Sequence, residues 1–151
     1  MKVAILSGSV YGTAEEVARH AEKLLKQAGF EAWHANRATL QDIQGFAPQA
    51  FLAVTSTTGM GELPDNIMPL YSAIRDVLPA EWRGLKGAVI GLGDSSYGDT
   101  FCGGGEQLRE LFAELGLEEV LPMLRLDASE TVTPEADAEP WIAQLVEKLR
   151  G

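Results

Sequence analysis

Three apolar runs recur along the chain: KVAILSG (2–8), AFLAVTST (50–57) and KGAVIGLG (86–93). Each leads into a loop rich in glycine or hydroxyls and then into a stretch of helical periodicity, and this order constrains the fold more than any other feature. Strand-length runs that are apolar at successive positions are buried on both faces. In a sheet that requires helices on either side, and so parallel strands. The first helical stretch, 13–29, places Val17, Ala21, Leu24, Leu25 and Ala28 at helical spacing and is closed by Gly29. FEAWHA (30–35) alternates as a strand does. Helices are predicted over 65–78, 105–116 and 140–150, the last opened by Pro140 at a natural first-turn position. EVLPMLRLD (119–127) reads as a final strand, and the polar, proline-bearing segment 127–140 as a loop. Five strands alternating with helices predict an α/β doubly wound parallel sheet, and a length of 151 residues predicts one domain spanning 1–151.

In such a sheet ligands bind at the carboxyl ends of the strands, where the strand order reverses. That rule singles out the loops 8–13, 56–64 and 93–104. The first, within SGSVYGTAEE (7–16), offers Ser7, Ser9, Tyr11 and Thr13 as hydroxyls, has Gly8 and Gly12 as hinges, and lacks any Lys or Arg. A loop that feeds a helix start presents backbone N–H groups and the positive end of the helix dipole. The phosphate-loop pattern GxxxxGK[ST] is absent for want of the lysine, and Gly8 and Gly12 do not satisfy GxGxxG. A neutral, closely fitted cradle suits one terminal phosphate monoester better than a triphosphate with magnesium. The plainer alternative is a βα turn capped by Ser or Thr. TSTTGMGELPDN (55–66) adds four hydroxyls, two glycines and Met60. GLGDSSYGDTFCGGG (91–105) adds Tyr97 and Phe101 in a polar setting. Together the three loops match a planar ring carrying a phosphate tail.

Other function classes fit less well. A receiver domain needs acidic residues where the strands end in Ser7 and Ser56, and a serine hydrolase needs a GxSxG elbow that Ser9 lacks. His20 and His34 read as surface or core residues, and neither follows the last strand. No cluster of metal ligands is visible, and the single cysteine, Cys102, reads as a small buried or ring-facing residue rather than a reactive thiol. Trp33, Trp82 and Trp141 read as packing residues. The net charge is −10, and twelve acidic residues against two basic ones lie between Asp94 and Glu139. That stretch reads either as solvated helix faces or as a docking surface for basic partners. Nucleic acid does not fit it, and no run approaches a membrane span. With no signal-peptide pattern, a cytoplasmic location is expected.

With these residues in order, the chain resembles the flavodoxins over its whole length, closest to short-chain bacterial members of the YqcA and MioC type. TSTTGMGELPDN and LGDSSYGDTFCGGG also resemble the FMN-binding domain of sulfite reductase flavoprotein and other diflavin reductases. The resemblance implies a flavodoxin-like three-layer sandwich with strand order 2-1-3-4-5 and bound FMN. It makes Ser9, Val10, Tyr11, Gly12, Thr13 and Ala14 the phosphate loop, with Ala14 where relatives generally use a hydroxyl. Tyr97 matches the outer aromatic that stacks on the ring, and Thr58 falls where many relatives place an inner aromatic or methionine. Thr57 lies in the same ring-side loop. Gly59 and Met60 match the peptide that reorients when the flavin gains its first electron. Leu92, Gly93, Asp94, Phe101 and Cys102 are implied to line the ring side, with one extra residue before Phe101 relative to the diflavin pattern. Asp127 matches a position near the ring. The implied function is that of a monomeric, low-potential one-electron carrier between a basic flavin-dependent reductase and acceptor proteins. It has no catalytic or metal-ligating residues of its own. The alternative is an FMN-dependent quinone or nitro reductase using NAD(P)H directly, for which 151 residues leave little room for a nicotinamide site.

Overall fold

The apolar runs become strands buried on both faces in the computed structural model, which describes residues 1–58, 61–94 and 101–151. β1 (Lys2–Gly8), β3 (Ala50–Thr55) and β4 (Lys86–Gly93) are buried at nearly every position. β2 (Glu31–His34) pairs with the outer side of β1. All pairings are parallel and the order is β2-β1-β3-β4-β5, where β5 is Glu118–Glu119 and β6 (Leu124–Asp127) continues beside β4. Helices α1 (Thr13–Gln27), α2 (Leu40–Phe46), α3 (Met68–Val77), α4 (Gly103–Leu115), α5 (Pro134–Asp137) and α6 (Glu139–Arg150) cover the sheet. Alternation along the strands divides the core in two. Val3, Ile5, Leu52, Val54 and Ile90 pack with Val17, Leu25 and Leu145 of α1 and α6. Ala4, Leu6, Phe51, Ala53 and Val89 pack with Ile43, Ile74, Leu108 and Phe112 on the opposite face. There Phe51 lies 4.7 Å from the buried Trp82 ring and 6.0 Å from Phe112. The flavodoxin-like sheet order expected from the sequence is the one observed.

Two local expectations are corrected. The final strand, expected to run unbroken over 119–127, is split into β5 and β6. Pro122 lies between them; it has no N–H for a ladder, and its carbonyl accepts from Trp141 Nε1 at 3.0 Å. The segment 127–140, expected as loop, contains the short helix α5. Helix α2 went unanticipated although its start is marked. Thr39 Oγ1 accepts from the Asp42 amide and Asp42 returns the bond to the Thr39 amide, which is a capping box.

At the far end of the sheet from the loops, Lys86 Nζ donates to the carbonyls of Lys148, Leu149 and Gly151 at 3.1, 3.4 and 3.2 Å. A cation on the last carbonyls of a helix satisfies them and complements the dipole. Lys86→Met keeps the aliphatic stem and removes the donor. It is expected to lower stability by about 1–2 kcal/mol, seen as an earlier urea midpoint at unchanged slope.

Candidate functional site

The register places the ends of β1, β3 and β4 side by side, Gly8 opposite Thr55 and Thr55 opposite Gly91, while Gly93 stands opposite Asp127 at the end of β6. The loops that leave these ends therefore converge on one edge. Ser56 N donates to Gly8 O at 2.9 Å and Ala128 N to Gly93 O at 2.8 Å, which carries the ladders one step past the strands.

The 9–12 loop is fixed from both sides. Ser9 N donates to Asn66 Oδ1 at 2.9 Å, and Ser9 Oγ accepts from Gly12 N at 2.6 Å. Gly12 is the N-cap of α1 in the left-handed region, φ +89°, and no side chain caps the helix. The amides of Thr13, Ala14 and Glu15 have no acceptor among the described residues. A Ser- or Thr-capped turn, the plainer reading of this loop, would have used one of them. Three amides at the positive end of a helix of fifteen residues instead form a donor set for an anion. The Ala14 methyl is fully buried in the core, so this residue offers only its backbone.

The 56–58 segment is locked to its neighbours by Thr57. Its Oγ1 donates to Leu92 O at 3.0 Å and accepts from Gly104 N at 3.1 Å. Thr58 N donates to Glu62 O, Gly61 N donates to Thr58 O, and Gln107 Nε2 donates to Gly61 O, each at 2.9 Å. α4 thus begins directly against this loop. A Cβ added at Gly104 would stand 2.5 Å from Ser56 O, so the approach depends on glycine.

Between these segments lies a cleft of about 420 Å³ lined by Val10, Tyr11, Thr13, Ser56–Thr58, Leu92–Asp94 and Ala128. Of the residues anticipated from the sequence, Val10, Tyr11, Thr13, Thr57, Thr58, Leu92, Gly93 and Asp94 line it. Ser9 and Gly12 lie in the loop between β1 and α1, and Ala14 in the first turn of α1. Phe101 is half-buried, and its ring lies against Gly93, one of the residues that line the cleft. Cys102 is wholly buried, its Sγ donating to Gly91 O at 3.5 Å, and burial pushes its thiol up to about 11, which keeps it protonated. Asp127 Oδ1 accepts from the Ser129 amide and hydroxyl at 2.9 and 2.7 Å and so shapes the turn that follows β6. Gly59, Met60 and Tyr97 lie outside the described residues. Ser56 lies in the anticipated loop 56–64 without having been singled out as a site residue, and Ala128 and Asn66 were not singled out either. The first two were within reach of the strand-end rule, since each follows a strand directly, whereas nothing local ties Asn66 to Ser9 across 57 positions. Among the described residues no group of metal ligands occurs and no helix is long and apolar enough to cross a membrane.

Comparison with known proteins agrees with this geometry. The family model described as Flavodoxin matches residues 5–141. The chain is 41% identical over 143 residues to flavodoxin YqcA of Escherichia coli K12, covering 95% of each. It is similar to the solved structure of a cysteine-to-alanine mutant of flavodoxin from Pseudomonas aeruginosa, at 76% identity, full coverage of both chains and a TM-score of 0.96. The same fold recurs in a Fusobacterium nucleatum flavodoxin bound to flavin mononucleotide, at 18% identity, 97% and 98% coverage and a TM-score of 0.78.

Proposed function

The chain belongs to the flavodoxin family, and from that membership we propose how it seats its cofactor: the FMN phosphate on the 9–14 loop, and the ring at the ends of β3 and β4. It is an FMN-binding electron-transfer protein rather than an enzyme, and direct NAD(P)H-dependent quinone or nitro reduction is not favoured. Bound FMN supplies the one-electron chemistry.

The observation that carries the seating is the uncapped start of α1 beside the cleft. The amides of Thr13, Ala14 and Glu15 hold the phosphate, with the Thr13 hydroxyl beside them. Ser9 keeps the loop in shape by taking the Gly12 amide onto its own hydroxyl. That leaves the amides beyond Gly12 to the ligand, and a site made of backbone donors and a dipole needs no lysine. Thr57 holds the ends of β3 and β4 together beneath the ring, while Thr58, Leu92, Gly93 and Asp94 line it. Phe101, Cys102 and Asp127 act as packing and turn-shaping groups. The resemblance assigns Tyr97 to stacking and the Gly59–Met60 peptide to a hydrogen bond with the reduced ring. Exposed Glu110 and Glu114 of α4 and Glu118 and Glu119 of β5 belong to the acidic stretch, which supports docking by a basic reductase and basic acceptors. The protein acts as a monomer in the cytoplasm.

Equilibrium dialysis with FMN and with riboflavin, which lacks the phosphate, tests the seating. One FMN per chain is expected, with riboflavin bound about ten- to a hundredfold more weakly, the worth of charge-assisted bonds to the phosphate. Equal affinities would remove the phosphate from the 9–14 loop.

A further inference from the structure

The phosphate loop has no cationic side chain of its own, yet a group able to become one is bonded to the strand that feeds it. His34 closes β2, and its Nε2 lies 2.6 Å from Ser7 Oγ, two residues before Ser9 on β1. Ser7 is 8% exposed, and β1 and β2 both pack beneath α1, the helix whose N-terminus holds the phosphate. Glu22 of α1 accepts the His34 backbone amide at 2.7 Å, which fixes the end of β2 against the helix. The Ser7 bond survives a change of protonation. Neutral imidazole exchanges it in either direction according to tautomer, and imidazolium donates it. What changes with the proton is the charge behind the loop.

We propose that His34 serves the phosphate site as a proton-dependent cation: its protonation strengthens FMN binding through the phosphate, and bound FMN in turn holds that proton. The proposal rests on the seating of the phosphate on the 9–14 loop.

The charged groups that face the imidazole come from α1: Glu22 and Glu15, which favour its charge, and Arg19, which opposes it, while β1 contributes only the neutral Ser7 hydroxyl. The carboxylates are themselves engaged, Glu15 with Arg19 at 3.6 Å and Glu22 with Lys26 at 3.8 Å. Without phosphate, burial outweighs these carboxylates and holds the imidazole below its usual value, so it is neutral at pH 7. A phosphate at the start of α1 adds negative charge that acts with the carboxylates in favour of the imidazolium. By linkage, the added affinity appears as pH falls through the FMN-bound titration of His34 and is complete below the FMN-free one. The second ionisation of the phosphate, near pH 6 for phosphoryl groups in general, acts the opposite way. The informative quantity is therefore the ratio of wild-type to His34→Gln affinity, since Gln keeps a hydrogen bond to Ser7 without the charge.

The chain has two histidines. His20, bonded to Glu139 at 2.6 Å on the surface, serves as the internal reference. The two imidazoles are titrated by NMR in wild-type protein without ligand, with FMN and with riboflavin, and assigned with His20→Gln. FMN is expected to raise the His34 midpoint by roughly half a pH unit or more while riboflavin leaves it in place. The wild-type to His34→Gln affinity ratio for FMN should then grow about threefold between pH 7.5 and pH 5.5. If FMN binds tighter than riboflavin but both leave the same His34 midpoint, His34 is no partner of the phosphate and the proposal falls while the seating stands. Equal binding of FMN and riboflavin overturns the seating and the proposal together. The wild-type titration decides the matter even if His34→Gln folds poorly.

Discussion

Gly104→Ala is expected to lower stability by about 3 kcal/mol, a fall of roughly 6–12 °C in melting temperature, and to weaken FMN retention with it. Its Cβ would stand 2.5 Å from Ser56 O and 3.3 Å from Thr57 Oγ1. The first obstacle is backbone, at the end of a central strand whose Ser56 amide is already bonded to Gly8 O, so it cannot swing away as a long side chain would. Relief requires α4 to withdraw. That breaks the Gly104 N–H bond to Thr57 and strains the Thr57 bond to Leu92 O, and the two ladder ends that floor the cleft separate. Thermal melts with and without FMN check this. A variant melting within 2 °C of wild type, about half a kcal/mol, would show that the start of α4 is not tied to the site.

The second large effect separates binding from folding. Gly12→Val places a β-branched side chain at φ +89°, where nothing lies within 4 Å of the new Cβ. The cost is therefore backbone strain, about 1–2 kcal/mol, and the fold should persist. The N-cap geometry that presents the Thr13–Glu15 amides should not persist, because a β-branched residue relaxes towards negative φ and turns those amides away. FMN affinity is expected to fall about a hundredfold, while riboflavin affinity, which lacks the phosphate bonds, should change by less than about threefold. Isothermal titration with both ligands reads the difference directly. A parallel loss for both would place the phosphate elsewhere.

Much of this arrangement is legible along the chain because it is written in local terms. Successive apolar residues in 2–8, 50–57 and 86–93 demand burial on both faces, which brings the parallel sheet and, with it, the edge where the loops gather. The loop 9–14 is recognisable because hydroxyls and glycines precede a helix without a lysine. The features that escaped depend on contacts distant in sequence. Asn66 reaches Ser9 across 57 positions, and Ser7 meets His34 across 27, so neither pair has a local signature. The close approach of Gly104 to Ser56 is likewise a product of packing between the start of α4 and the end of β3. Cys102 illustrates the reverse case. It reads from the sequence as either a buried or a ring-facing residue, and a left-handed backbone, φ +56°, turns the thiol inward onto Gly91. The break at Pro122 was visible in the sequence, and helix α2 was announced by the Thr39–Asp42 box. Both show that short signals lose to longer apolar patterns in a linear reading.

One-electron transfer by an FMN held at these strand ends is most directly tested by anaerobic reductive titration of the FMN-loaded protein, followed by absorbance. The account predicts two separated one-electron steps, with a long-wavelength band that rises and then bleaches. A single two-electron bleach, or a protein that takes up no FMN at all, would contradict it.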